Sequence, residues 1–120
     1  MENLNGLSEN QKNLLKLIRP VNDTLYVLNG KWKLPILIML TDKDKRFGEL
    51  ADDLVDITDR MLSRELRELE ANLLVCKKAA ESNPAKVVYT ITEHGKSLHT
   101  VVLELSKWVL STENLLPVSS

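Results

Sequence analysis

The chain has 120 residues and a formal net charge of −1 at pH 7, with 16 Lys and Arg against 17 Asp and Glu. That is one domain's length, enough for a core yet small enough to favour oligomerisation. Hydrophobic residues at 43% and charged ones at 28% exclude a disordered or membrane-embedded chain. The near-neutral balance excludes a protein that coats nucleic acid indiscriminately, but not one with a locally basic face.

The first element opens at Ser8, where Ser-x-x-Gln reads as a capping box for a helix to Arg19 that gathers Leu14, Leu15, Leu17 and Ile18. Pro20 suits the first turn of a second helix over 21–29, which Gly30 stops. The run KWKLPILIML, Lys31 to Leu40, reads as a short buried helix that starts near Lys33 or Leu34, so that Pro35 falls in its first turn. After the polar turn TDKDK, Arg46-Phe47 reads as a scrap of strand and GELADDL as a short helix turning Leu50, Ala51 and Leu54 inward. Thr58 is an N-cap for the next helix, with Asp59 placed favourably at its positive end. LVCKKAA and KVVYTIT flank ESNPA as a hairpin with a flexible tip. Thr92 then caps a long helix in which Leu98, Val101, Val102, Leu105, Trp108 and Val109 recur at helical spacing.

This order predicts a mostly α fold with a small β-hairpin (α+β), a winged helix–turn–helix. The expected organisation is a single domain over 1–120: a helical arm at 1–19, a winged-helix core at 20–91, a closing helix at 92–112 and a tail at 113–120.

The second helix of the predicted helix–turn–helix carries the informative pattern. On a wheel of about 100° per residue with Arg60 at 0°, Arg64 falls near ~40° and Arg67 near ~340°. Leu62, Leu66, Leu69 and Leu73 fall between about 180° and 240°, so burying them aims the arginines outward. Glu68, Glu65, Asp59 and Glu70 flank the arginine row, and Ser63 shares it. An exposed Arg64–Glu68 pair at i,i+4 is worth only about 0.3–0.5 kcal/mol and yields to a stronger partner. Taken alone, aligned arginines are more often a solvated face. The context favours a reader, because the second helix of such a motif enters the major groove. Lys77, Lys78 and Lys86 lie in the hairpin that follows, where a wing meets phosphates.

Other functions find little support. The longest apolar run, Leu34 to Leu40, is too short to span a bilayer, and the N-terminus lacks a signal pattern, so a cytoplasmic protein without a membrane partner is expected. Cys76 is the only cysteine, and His94 and His99 have no second ligand pair nearby, so neither a metal nor another cofactor is expected. No catalytic constellation or phosphate-cradling glycine loop stands out, which argues against an enzyme. Cys76, beside Val75 on a predicted strand, reads as a small buried hydrophobe, although Lys77 and Lys78 leave a low-pKa sensing thiol open.

The strings GKW (Gly30 to Trp32), RFGEL (Arg46 to Leu50), Ile57-Thr58, MLSRELRELE (Met61 to Glu70) and Leu74-Val75 stand together. They continue with Pro84, Lys86, Val87, Tyr89, Thr92 and Gly95. This pattern, spread from Pro20 to Trp108, resembles the HxlR-type family of bacterial winged-helix transcription regulators, which are MarR-like. The resemblance implies a homodimeric regulator that binds double-stranded promoter DNA, with terminal helices in the dimer interface. It carries DNA contacts onto Thr58, Arg60, Ser63, Arg64 and Arg67 of the recognition helix and onto Lys77 and Lys86 of the wing; Lys78 is added from its position. The expected dimer contacts are Leu14, Leu15, Ile18, Leu98, Val102, Leu105, Trp108 and Val109, with Leu115 beyond the needs of a small core.

There are departures from the family pattern. Arg19 stands before Pro20 where members often carry a sensing cysteine. Asp56 and Leu73 replace turn glycines, Ala80 replaces a wing aromatic, and Asp52 and Asp53 replace bases. Two alternatives stay open: a winged-helix protein-interaction module that does not bind DNA, and a DNA reader that also takes a small-molecule effector near Tyr26, Trp32 or Trp108, residues that more often serve as plain core.

Overall fold

The computed structural model describes residues 6–113, with side chains as far as residue 111. The described residues form two compact units that meet in sequence between Lys31 and Trp32.

The first unit holds one helix, α1 (Glu9–Leu28). Its start is the expected capping box: the Ser8 hydroxyl accepts from the Gln11 amide at 3.1 Å, and the Gln11 side chain accepts from the Ser8 amide at 2.9 Å. Pro20 does not begin a new helix as the sequence suggested; it lies inside α1. An internal proline removes one donor to the carbonyl four residues earlier. Here that carbonyl belongs to exposed Lys16, where water can satisfy it, so the helix continues. Leu14, Leu17, Ile18, Val21 and Leu25 form one apolar row at spacings of three and four, and each is about half exposed.

The second unit runs α2 (Lys33–Met39), α3 (Phe47–Asp53), α4 (Asp59–Ala71), β1 (Val75–Ala79), β2 (Val87–Ile91) and α5 (Glu93–Glu113). Pro35 lies in the first turn of α2, as its ring requires. Ile36, Leu37 and Leu40 meet Leu50, Leu54, Leu62, Leu66, Leu69, Leu74, Val75, Val88 and Ile91 in the core. Each such side chain contributes roughly 1.5–3 kcal/mol on leaving water. Ala51 is only half-buried.

The antiparallel hairpin pairs Val75 with Ile91 and Lys77 with Tyr89. Its tip is closed by bonds from the Ala80 amide to the Lys86 carbonyl at 2.9 Å and from the Lys86 amide to the Asn83 carbonyl at 3.0 Å. The scrap of strand expected at Arg46-Phe47 lies one residue earlier, at Lys45, which bridges Tyr89 on the free edge of β2. Arg46 instead caps α3, its amide donating to Glu49 at 2.9 Å.

The Thr92 hydroxyl accepts from the Gly95 amide at 2.9 Å and reaches back to the carbonyls of Leu73 at 2.6 Å and Leu74 at 3.1 Å. Gly95 is needed here, because a Cβ would lie 2.3 Å from the Leu74 carbonyl oxygen. Leu115 lies outside the described residues.

Leu73 leaves the leucine row: α4 ends at Ala71, and Leu73 is 70% exposed. Its φ of 62° and that of Asp56, 74°, are left-handed. These are the two positions at which the resemblance to the HxlR-type family predicts a turn glycine. A bulky residue in that region sets its Cβ against its own carbonyl, at about 1–2 kcal/mol. Leu73→Gly is therefore expected to raise unfolding stability by about 1 kcal/mol, read from urea midpoints. A lowered midpoint would refute the strain.

Candidate nucleic-acid interface

Helix α4 is set in place by its cap and its apolar face. The Thr58 hydroxyl accepts from the Met61 amide at 3.1 Å, and Leu62, Leu66 and Leu69 are buried. With those three inward, Arg60, Arg64 and Arg67 are exposed, as are Thr58 and, in part, Ser63. The arginine row thus faces solvent within its own unit, held by three leucines rather than four.

The acids of α4 flank the arginine row, and three of them find lysine partners on other elements. Glu65 is buried and Glu68 half exposed, and both carboxylates grip Lys33 of α2, at 2.8 Å and 2.5 Å. Glu68 is therefore paired with Lys33, and the i,i+4 contact open to Arg64 remains a longer-range attraction. Burial works against the charge on Lys33, but its two carboxylates outweigh that and hold it above the usual lysine value; Lys33 in turn holds Glu68 below the carboxylate range. Glu70 faces Lys77 at 4.0 Å. Among the described residues, Arg60 and Arg67 have no carboxylate within ion-pair distance, and Arg64 Nε lies 3.7 Å from Glu65 Oε1.

Lys33 was missed by sequence reasoning, yet a signal was present. It is the single charge in a stretch otherwise apolar from Trp32 to Leu40, and such a charge needs a partner. Glu65, some ~40–60° from the leucine face on the wheel, was the acid placed to supply one.

The wing lysines differ among themselves. Lys86 stays exposed beside the tip, along a polar groove shared with Arg46, Glu49, Ser82 and Asn83. Lys77 lies 5.9 Å from the Tyr89 ring centre. Lys78 pairs with Asp44 at 3.0 Å, so it braces the wing. A hydrogen bond from Thr90, then the Lys78 pair, holds the Asp44 carboxyl below its usual range despite some burial, and Asp44 raises Lys78. Cys76, expected to be buried, is exposed on β1; Val75 takes the inward position and strand alternation turns its neighbour outward.

Of the expected dimer residues, Leu14, Ile18, Leu105, Trp108 and Val109 are exposed in this single chain, and Leu15 is half-buried. Leu98 and Val102 line an apolar cavity of about 30 Å³ with Leu34, Leu37 and Ile91, well below the several hundred Å³ typical of a drug-sized site. Among the described residues no group of His, Cys, Asp or Glu is placed to hold a metal, and no helix is long and apolar enough to cross a membrane.

The geometry agrees with comparisons to known proteins. The HxlR-like helix-turn-helix family model matches residues 27–115. YybR of Bacillus subtilis (strain 168), an uncharacterised HTH-type transcriptional regulator, is 40% identical over 97 residues, 81% of this chain and 78% of its own length. The reduced form of the redox regulator HypR superposes with a TM-score of 0.67 at 40% identity, covering 80% of this chain and 95% of that one. The reduced form of the transcriptional regulator YodB from B. subtilis gives a TM-score of 0.70 at 30% identity, over 82% and 94% of the two chains.

The Asp44 brace carries a defined pH dependence. A carboxyl with a lowered pKa contributes stability that is complete above its unfolded value and is lost as pH falls through the folded one. Hydrogen-exchange protection of the Tyr89 amide, bonded to the Lys45 carbonyl at 2.7 Å, should hold from neutral pH to about 3.9 and fall below it. In Asp44→Asn it should be weaker at neutral pH. Equal protection in both proteins at neutral pH would show that the brace is inert.

Proposed function

The chain belongs to the HxlR-like helix-turn-helix family of DNA-binding transcriptional regulators, and from that premise we propose that it acts as a homodimer reading an approximately palindromic promoter site. The observation that carries the reading is the exposed row of Arg60, Arg64 and Arg67 on α4, whose neighbouring acids are mostly engaged by lysines from elsewhere in the chain. Arginines toward the N-terminal half of α4 pair with guanine edges, each bidentate contact adding roughly 1–3 kcal/mol of discrimination. Thr58, Ser63, Lys77 and Lys86 set register on phosphates. Lys78 contributes by bracing the wing.

The dimer reading is supported by the exposed apolar residues of α1 and α5, Trp108 at 64% among them. Such residues mark association surfaces when they gather into a patch. A two-fold pair of α4 helices would enter successive major grooves about 34–36 Å apart. A promoter-bound regulator works beside the chromosome, which places it in the cytoplasm.

A duplex selected from random DNA tests the reading. Affinity should fall steeply with salt through counterion release. Arg64→Ala should weaken the selected site at least about tenfold without changing the melting temperature. Lys86→Ala should weaken all sequences alike and lower the salt slope by about 1. Absence of DNA binding even at low salt would instead favour the protein-interaction module, and unchanged affinity in Arg64→Ala would displace the reading face. Sedimentation should give a dimer that Leu105→Glu with Trp108→Ala shifts toward monomer; a parent that sediments as a monomer at micromolar concentration would refute dimerisation.

A further inference from the structure

We propose that Lys33 is a positioning residue for DNA reading, acting through Glu65 to orient the Arg64 guanidinium. The inference rests on the DNA-reading function of α4. The Glu65 carboxylate divides its two oxygens between different partners: Oε2 meets Lys33 Nζ at 2.8 Å, and Oε1 lies 3.7 Å from Arg64 Nε. The Lys33 and Glu65 side chains are 7% and 10% exposed, whereas that of Arg64 is 61% exposed. A buried, fixed anion therefore sits beneath an exposed cation, and a lysine from another helix holds that anion in place.

Adjacent residues on a helix do not normally face each other, and the natural partner for Arg64 is Glu68, four residues on. Lys33 holds Glu68 at 2.5 Å, which leaves Glu68 only a longer-range attraction to Arg64. Glu65 is the carboxylate within ion-pair distance of Arg64 among the described residues. Arg60 and Arg67 have no such tether within ion-pair distance, so Arg64 is the arginine of the row whose direction the interior sets. A long side chain pre-set in its bound geometry loses less freedom on binding, and a guanidinium reads a guanine edge only in the correct plane. Lys33 would thus influence sequence choice without touching DNA.

The experiment is a double-mutant cycle on discrimination, the ratio of affinities for the selected duplex and for one with a single altered base pair. Lys33→Met should lower that ratio about fivefold in the parent and leave it within about twofold in an Arg64→Ala background, since groups acting in series do not add. Glu65→Gln, which keeps the Lys33–Glu68 pair and the side-chain shape, gives the same cycle should Lys33→Met fail to fold. Equal losses with and without Arg64 would overturn the proposal, because a general shift of α4 acts on every contact. A parent that binds DNA poorly at all salt concentrations would sink the functional reading itself, an outcome distinct from additive losses in a protein that binds well.

Discussion

Burial of Leu62, Leu66 and Leu69 against the core fixes the rotation of α4 about its own axis, and everything proposed for the surface depends on that rotation. A helix is free to roll until its apolar stripe is covered; once covered, every other side chain has an assigned direction. Here α4 packs on α2 and β1, and the Thr58 cap fixes where the helical phase begins. The outward direction of the arginines is thus a consequence of apolar burial, with no attraction to solvent required.

Rotation alone would leave a face of mixed sign. The molecule has no cationic surplus, so a basic patch requires its acids to be occupied elsewhere. Lys33 holds Glu65 and Glu68, and Lys77 faces Glu70. A buried pair of this kind contributes little net stability compared with an apolar replacement, because desolvation offsets most of the attraction. Its place in the fold is better understood through charge placement: Glu68 is drawn toward α2, while Glu65 turns one oxygen to Lys33 and keeps the other beside Arg64.

Periodicity and capping made much of this legible. Ser8, Thr58 and Thr92 each cap the helix assigned to them, and the leucine spacing gave the burial of α4 apart from Leu73. The failures share a cause, since each concerns a residue whose fate is decided by partners distant in sequence or by backbone geometry. Pro20 is ambiguous between a helix start and a tolerated interior position. Leu73 continues the helical period but falls beyond the last turn, where a left-handed residue redirects the chain into β1. Cys76 sits among residues of strand propensity, and only the register decides which of two neighbours turns inward. Lys33 and Glu65, 32 positions apart, reveal their pairing only when two helices cross.

The Thr92 junction has a mechanical consequence. One hydroxyl fastens the root of α5 to the carbonyls that follow α4, and Gly95 lets the two backbones touch there. The root of the closing helix is thereby moored to the Leu73–Leu74 exit of α4, and any side chain at position 95 would force those two backbones apart.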